Sequence, residues 1–415
     1  MKVLYINGIL EEHPKPFRPL PPLDSGAPIS NMFRLIEELS KDSYDLDISA
    51  ISGISSEMLN YMNIKWPLGS YRGNYCWVKV PAKLRKLSHI LVSNYIISGI
   101  LNRLIGVYSL QSSYYLLKIY RNILKIKPDI VVLDAGGQFI KGLCNLLPSS
   151  VSMLFFCRGE SGYITRSSMH LCKAVLVTNN KFSEWVTSVN INVKDIFIIP
   201  NSLDEKYLKL PKNQGRFNNN EKRIIFAGRL HPVKGIEFLI KAFSKVVKVF
   251  PEARLVIVGK AVEVPKIIDQ NLYTSKYEDE IKLLAKNILP KNSCIWMGWL
   301  EQADLINEYQ KAYMAVYPSV WVEAFGMVAL EAMALGLPVI ASKRPGFQTL
   351  LSEECGILID DPMDIEALGE AMVKLLSDQN YAERLGFNAY HKARKYSVEK
   401  AAKEFINIIQ SFVKN

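Results

Sequence analysis

The sequence predicts an α/β protein built from two doubly wound parallel domains, and three observations carry that prediction. Short apolar, β-branched runs alternate with longer helix-patterned segments along most of the chain. A length of 415 residues exceeds one ordinary core. The alternation is interrupted by a polar patch, Lys212-Asn213-Gln214-Gly215-Arg216-Phe217-Asn218-Asn219-Asn220-Glu221, and then restarts. The patch offers little to bury and reads as a linker. The expected organisation is a first Rossmann-like domain over 1–205, a linker over 206–221 and a second domain over 222–395. A helix over 396–415 is expected to pack across the domain junction.

In the first half the strand candidates are Val3–Ile6, Leu46–Ile51, Ile130–Asp134, Ser152–Phe156, Ala174–Val177 and Ile196–Ile199. Helical patterns lie between them at Ile29–Ser40, Tyr114–Ile126 and Lys181–Ser188. In the second half strands fit Arg223–Phe226, Arg254–Val258, Cys294–Trp296, Met314–Tyr317, Val339–Ala341 and Gly356–Ile359. Helices fit Gly235–Val249, Tyr277–Ala285, Gln302–Ala312 and Ile365–Leu376. The tail, Val398–Val413, carries an apolar stripe at Ala401, Ala402, Phe405, Ile408 and Ile409.

Composition narrows the function. With 49% hydrophobic and 22% charged residues the chain is that of a globular protein. It has no apolar run long enough to span a bilayer. Met1-Lys2-Val3-Leu4-Tyr5-Ile6-Asn7-Gly8 reads as a buried strand rather than a signal peptide. The six cysteines are scattered, without a C-x-x-C pair, and fit free thiols in a reducing compartment. The five histidines are isolated, so no histidine metal site is expected. The expected location is the cytoplasm.

The net charge of +11 is unevenly spread. No acidic residue lies between Glu57 and Asp129, whereas Lys83, Arg85, Lys86, Arg103, Lys118, Arg121, Lys125 and others do. Apolar runs such as Ile90-Leu91-Val92 are interleaved with them. Residues 58–128 therefore suit the surface of an anionic membrane, or a helix pair whose solvated face is basic. Nothing resembles a nucleic-acid-binding motif.

Chemistry concentrates in the second half. Gly228-Arg229-Leu230-His231-Pro232-Val233-Lys234-Gly235 follows a strand and leads into a helix. Ligands of open α/β sheets bind outside the carboxyl ends of the strands, where these cations fall. Arg229 offers a planar fork for two phosphate oxygens and Lys234 a point charge. Solvated cations in a βα loop are the plain alternative. Further on, Val322-Glu323-Ala324-Phe325-Gly326-Met327-Val328 feeds a helix that contains Glu331 and ends at Gly336 and Pro338. Gly326 permits close approach of backbone to a ligand, and a helix start favours an anion. Carboxylates on either side accept hydrogen bonds from sugar hydroxyls. A sugar attached to a phosphate fits this set; two solvated glutamates on an amphipathic helix fit the spacing alone.

Taken in order, Gly228-Arg229-Leu230 with Lys234-Gly235, Pro318-Ser319, Glu323-Ala324-Phe325-Gly326 through Glu331-Ala332-Met333-Ala334, and Gly336-x-Pro338-Val339-Ile340-Ala341 resemble the donor domain of family 4 retaining glycosyltransferases. That resemblance implies the GT-B fold, two Rossmann-like domains facing a central cleft. It implies that Arg229 and Lys234 hold the donor diphosphate, that Glu323 reaches the donor sugar and that Glu331 takes the ribose hydroxyls. Gly228 and the backbone N–H groups of Phe325, Gly326, Met327 and Val328 would complete the donor site. Catalysis would fall to Glu323, Arg229 and Lys234. In the first domain Asp24-Ser25-Gly26-Ala27 is similar to the family's Gly-Gly loop, with Ser25 where the first glycine is expected and Gly26 beside the donor. Many relatives carry a histidine where this chain has Cys157-Arg158, which places Arg158 with Ser25 on the acceptor side.

Asp45-Leu46-Asp47 matches the Asp-x-Asp metal motif of a different glycosyltransferase fold, but sits where a strand begins. Gly136-Gly137 lacks a full G-x-G-x-x-G pattern. The expectation is thus a glycosyltransferase without metal or cofactor. It would take a nucleotide sugar, with a UDP-sugar expected in bacterial surface-polysaccharide synthesis, and a glycan or lipid-linked acceptor at the inner face of the plasma membrane. The rivals are a catalytically silent nucleotide-sugar or membrane scaffold of the same fold and a nucleotide-sugar epimerase.

Overall fold

The computed structural model describes residues 1–10, 26–53, 75–77, 110–134, 137–158, 168–188, 193, 195–211, 215–218, 221–261 and 275–412. They form two compact units, Met1–Ser202 with Val398–Asn415, and Leu203–Ser397.

The first unit runs β1 (Lys2–Leu10), α1 (Gly26–Leu39), β2 (Asp47–Gly53), β3 (Tyr75–Trp77), α2 (Leu110–Ile126), β4 (Ile130–Asp134), α3 (Ile140–Leu146), β5 (Ser152–Cys157), β6 (Ala174–Val177), α4 (Asn180–Ser188) and β7 (Ile196–Ile198). Its sheet has the order β3-β2-β1-β4-β5-β6-β7, and the pairs are parallel. Every residue of β4 and β6 is buried, as parallel strands covered on both faces require. That is why Ile130–Leu133 and Ala174–Val177 read as unbroken apolar runs. The register sets Val3 beside Ile130 and Val132 beside Leu154.

The second unit begins with α5 (Glu205–Lys209), capped by Asp204, whose carboxylate accepts the Lys206 N–H at 3.0 Å. It continues through β8 (Lys222–Ala227), α6 (Ile236–Val249), β9 (Ala253–Val258), α7 (Ser275–Ile288), β10 (Cys294–Gly298), α8 (Gln302–Lys311) and β11 (Met314–Tyr317). Then follow α9 (Met327–Ala334), β12 (Val339–Ser342), α10 (Pro345–Leu350), β13 (Ile357–Ile359), α11 (Ile365–Ser377) and α12 (Gln379–Ala393). The sheet order is β10-β9-β8-β11-β12-β13, again parallel. The order reverses direction between β8 and β11, which makes their carboxyl ends a ligand-binding crevice by topology.

The segment expected to be a linker is in part core. Arg216 and Phe217 are 1% and 4% exposed within the second unit. The Arg216 guanidinium donates to the carbonyls of Tyr309 at 3.3 Å, Ala312 at 3.1 Å and Leu335 at 2.5 Å. These carbonyls lie at the ends of α8 and α9, where a cation also meets the negative ends of the helix dipoles. Isolated among polar neighbours, Arg216 and Phe217 gave no periodicity from which to read this.

The chain closes with α13 (Val398–Ser411). Ala401, Ala402, Phe405, Ile406 and Ile409 are buried in the core of the first unit, where the Phe405 ring lies 6.1 Å from that of Tyr5. Each large apolar side chain buried this way contributes about 1.5–3 kcal/mol. The apolar stripe is real, and its buried face belongs to the first unit's own core.

Candidate active site

The loops after β8 and β11 meet in the second unit. Gly235 stops the short turn Pro232–Lys234 and precedes α6 at φ 68°, a left-handed conformation suited to glycine. A Cβ there would lie 2.1 Å from the Pro318 carbonyl oxygen, so the two loops touch because this residue has no side chain. The Val320 N–H donates to the Val233 carbonyl at 2.9 Å, which fixes the contact. His231 Nδ1 accepts the Val233 N–H at 3.0 Å and shapes the turn from inside.

This closure brings Lys234 Nζ to 2.9 Å from Glu323 Oε2, with side chains 20% and 22% exposed. Two residues assigned to one site by sequence therefore touch. Arg229 is half-buried one residue beyond Gly228, whose N–H is held by the Val258 carbonyl at 3.0 Å. The loop that carries Glu323 is also pinned from the β12 side. The Glu323 carbonyl accepts the Gly346 N–H at 2.7 Å, and Arg344 Nη2 donates to the Val320 carbonyl at 3.1 Å. Phe325 anchors the loop below, 3% exposed and edge-on to Tyr396 at 5.6 Å.

Gly326 begins α9 at φ 87°, and a Cβ there would fall 2.5 Å from the Phe347 ring. The first N–H groups of a helix have no acceptor within it, which leaves those of Met327 and Val328 at the site end of α9. Glu331 follows one turn on, half-buried. Beneath this turn the hydroxyls of Tyr309 and Tyr317 lie 3.0 Å apart, and that of Tyr309 lies 3.4 Å from the Val328 carbonyl. Burial raises the pKa of both tyrosines, and the charge of Glu331 adds to it, so they stay neutral phenols. The sequence reading missed this pair and Arg344. Arg344-Pro345-Gly346 at the end of a strand was the available signal, a cation followed by a helix-opening proline.

In the first unit Gly26 opens α1, and Ser25 lies outside the described residues. Arg158 is 4% exposed and internally engaged. Its Nε donates to Asp134 Oδ1 at 2.7 Å, Nη2 to Oδ2 at 2.7 Å and Nη1 to Asn201 Oδ1 at 2.6 Å. The Tyr5 hydroxyl donates to Asp134 Oδ2 at 3.1 Å, and the guanidinium stacks 3.7 Å over the Phe156 ring. The expected acceptor contact thus meets a guanidinium already committed to a buried carboxylate. Arg158 sets the ends of β1, β4 and β5 rather than offering a free fork. Asp45 and Asp47 are exposed at the amino end of β2, opposite to the ligand end of the sheet. Among the described residues no three His, Cys, Asp or Glu side chains are grouped to hold a metal ion. Gly136 lies outside the described residues.

Residues 210–392 match the family described as Glycosyl transferases group 1. Gly228, Arg229, Lys234, Glu323 and Glu331 all fall within that span. Over 253 residues the chain is 27% identical to a glycosyltransferase of Methanocaldococcus jannaschii, covering 58% of this chain and 60% of that one. It is 26% identical to a capsular polysaccharide biosynthesis glycosyltransferase, CapM, of Staphylococcus aureus, covering 62% and 63%. The alignments span 60%, 43% and 32% of the first three curated relatives. The solved structure of Anabaena HepE in complex with UDP superposes with a TM-score of 0.71 at 15% identity, covering 99% of this chain and 100% of that one. The fold is GT-B. The matched family and the relatives from Methanocaldococcus jannaschii and Staphylococcus aureus are glycosyltransferases. In the second unit Gly228, Arg229 and Lys234 lie on the loop after β8, and Glu323, Phe325, Gly326, Met327, Val328 and Glu331 on the loop and helix after β11. Among the described residues no helix is long and apolar enough to cross a membrane.

Proposed function

We propose that the protein is a retaining, metal-independent glycosyltransferase that moves a sugar from a nucleotide sugar, in our reading a UDP-sugar, to a hydroxyl of a glycan or lipid-linked acceptor. One observation carries the reading: Lys234 and Glu323 in contact at 2.9 Å at the topological switch point, beside Arg229 and the start of α9. A diphosphate there meets two cations and the N–H groups of Met327 and Val328. Negative charge grows on the leaving diphosphate as the glycosidic bond breaks, and preorganised donors stabilise it without reorganisation. Two fixed cations fill the part that a divalent ion has in other transferases. Glu323, held by Lys234 through one oxygen, keeps the other for hydroxyls of the donor sugar. Glu331, one turn inside α9, is placed for the ribose. The likeness to family 4 supports retention. The UDP-bound structure and the capsular polysaccharide relative support the donor class and a role in surface-polysaccharide synthesis.

The proposed location is the cytoplasmic face of an anionic membrane, reached through residues 58–128. Of these, 58–74 and 78–109 lie outside the described residues. Helix α2 supports the reading. It buries Tyr115, Leu116, Ile119 and Ile123 while Leu117 and Leu124 are 47% and 54% exposed. Arg121 and Lys125 are exposed on the same helix, so basic and apolar groups are both presented to solvent.

A thermal-shift panel of UDP-, GDP- and ADP-sugars tests the donor. A ligand at one hundred times its Kd stabilises the native state by about 2.7 kcal/mol. One nucleotide class should raise Tm, and transfer with that donor in EDTA should give a product of unchanged anomeric configuration by NMR. No shift with any nucleotide would sink the reading.

A further inference from the structure

The loop that positions Glu323 also holds an indole in solvent. Trp321 is 53% exposed, whereas Ala324 and Phe325 in the same loop are 6% and 3% exposed. Its backbone is not loose. The Val320 and Trp321 N–H groups both point at the Val233 carbonyl, at 2.9 and 3.4 Å, one residue before Lys234. Arg344 holds the Val320 carbonyl from the other side at 3.1 Å. The loop therefore sorts its two aromatics, one as a buried anchor and one displayed on a fixed base two residues from Glu323. Leaving a large apolar ring in water forgoes the stabilisation that burial gives. A rigid indole face is a common way to bind a partner with one apolar and one polar side.

We propose that Trp321 is a specificity-determining residue, a platform that stacks on the apolar face of the acceptor's pyranose ring beside the donor site. This rests on the glycosyltransferase reading above. A pyranose suits the position because its C–H groups lie against the indole while its hydroxyls stay turned to water and to the donor sugar held by Glu323. The diphosphate and ribose are served by Arg229, Lys234 and Glu331, so Trp321 acts on acceptor binding and not on nucleotide binding.

The experiment uses the full chain, UDP-glucose and UDP-N-acetylglucosamine as donors, and methyl glycosides of glucose, mannose and N-acetylglucosamine as acceptor probes. Trp321→Ala should raise the acceptor KM roughly tenfold with kcat within about threefold, a loss of binding shared by ground and transition states. Trp321→Phe should recover most of it. By calorimetry both variants should bind UDP as the native protein does. The accepted glycoside should shift the tryptophan emission of the UDP-saturated native protein, and the shift should vanish in Trp321→Phe. An acceptor KM in Trp321→Ala equal to the native value overturns the assignment while leaving the transferase reading intact. A weakened UDP affinity in that variant also overturns it, placing the indole against the nucleotide. Native protein that binds no nucleotide and transfers to no probe removes the transferase reading, and the role of Trp321 with it.

Discussion

Lys234 and Glu323 are 89 residues apart in the chain and 2.9 Å apart in space. The pair joins the loop after β8 to the loop after β11. At about one-fifth exposure such a pair is screened and adds on the order of 1 kcal/mol or less to stability. Its value lies in orientation. One carboxylate oxygen and one ammonium are held together where the loops after β8 and β11 meet.

Lys234→Ala and Arg229→Ala should each reduce transfer by about a hundredfold or more, the usual effect of removing one preorganised donor from a charged transition state. Circular dichroism and Tm should stay near native, since neither residue anchors the core. Near-native rates in both variants would remove the cations from the reaction.

Glu331→Ala should weaken binding of the nucleoside diphosphate by roughly tenfold, as expected for a lost hydrogen bond to a charged group. Glu323→Ala should bind it almost normally and slow transfer. Calorimetry with the nucleotide alone separates the two. Equal affinities for native protein and Glu331→Ala would refute the division of roles.

Arg158→Ala should destabilise the first unit by about 3–5 kcal/mol, because it leaves Asp134 buried without its cation. Arg158→Lys should also be unstable, since an ammonium cannot reproduce the fork. The reading is the urea midpoint of the first transition. A midpoint unchanged in both variants would mean that Arg158 is free for other work.

Gly235→Ala should lower both stability and nucleotide affinity. A side chain at φ 68° is strained by about 1–2 kcal/mol, and the added methyl meets the Pro318 carbonyl at 2.1 Å, forcing the two loops apart. Gly369→Ala in α11 is the control. There the nearest atom is 3.6 Å away, and alanine favours the helix by about 1 kcal/mol. The first variant should melt lower and the second higher.

Vesicle co-sedimentation tests the basic face. Binding should require anionic lipid, fall with salt and decrease when Arg121 and Lys125 become glutamate, at on the order of 1 kcal/mol per charge held at the surface. Protein that stays in the supernatant at low salt would leave α2 a solvated face and favour a soluble acceptor.

Most strands were legible because parallel strands covered on both faces leave apolar runs such as Ile130–Leu133 and Val339–Ala341, whereas the three-residue β3 (Tyr75–Trp77) was too short to stand out. The β8 and β11 loops were legible because glycines and charges fall at fixed offsets from strand ends. Helix α12 was not, since much of its buried face is small: Ala382, Gly386, Ala389 and Ala393 beside Leu385. Gly386 there lies so close to another backbone that a Cβ would sit 2.4 Å from the Gly336 carbonyl. Arg216 was expected in a linker and Arg158 on the acceptor side. For each, only tertiary structure supplies the carbonyls, or the Asp134 carboxylate, among which it is buried.

Because α13 completes the core of the first unit, that unit is discontinuous, with Leu203–Ser397 inserted into it. During synthesis a domain folds once its residues have left the ribosome, normally in order from the amino end. Here the order is inverted. The inserted unit has all its strands before residue 398 is made, while the amino-terminal sheet waits, with the site for Phe405 and Ile409 open, until the final helix emerges. Loss of the last two turns of α13 would therefore expose hydrophobic surface on a unit whose own sheet begins about four hundred residues earlier, leaving the inserted unit Leu203–Ser397 intact.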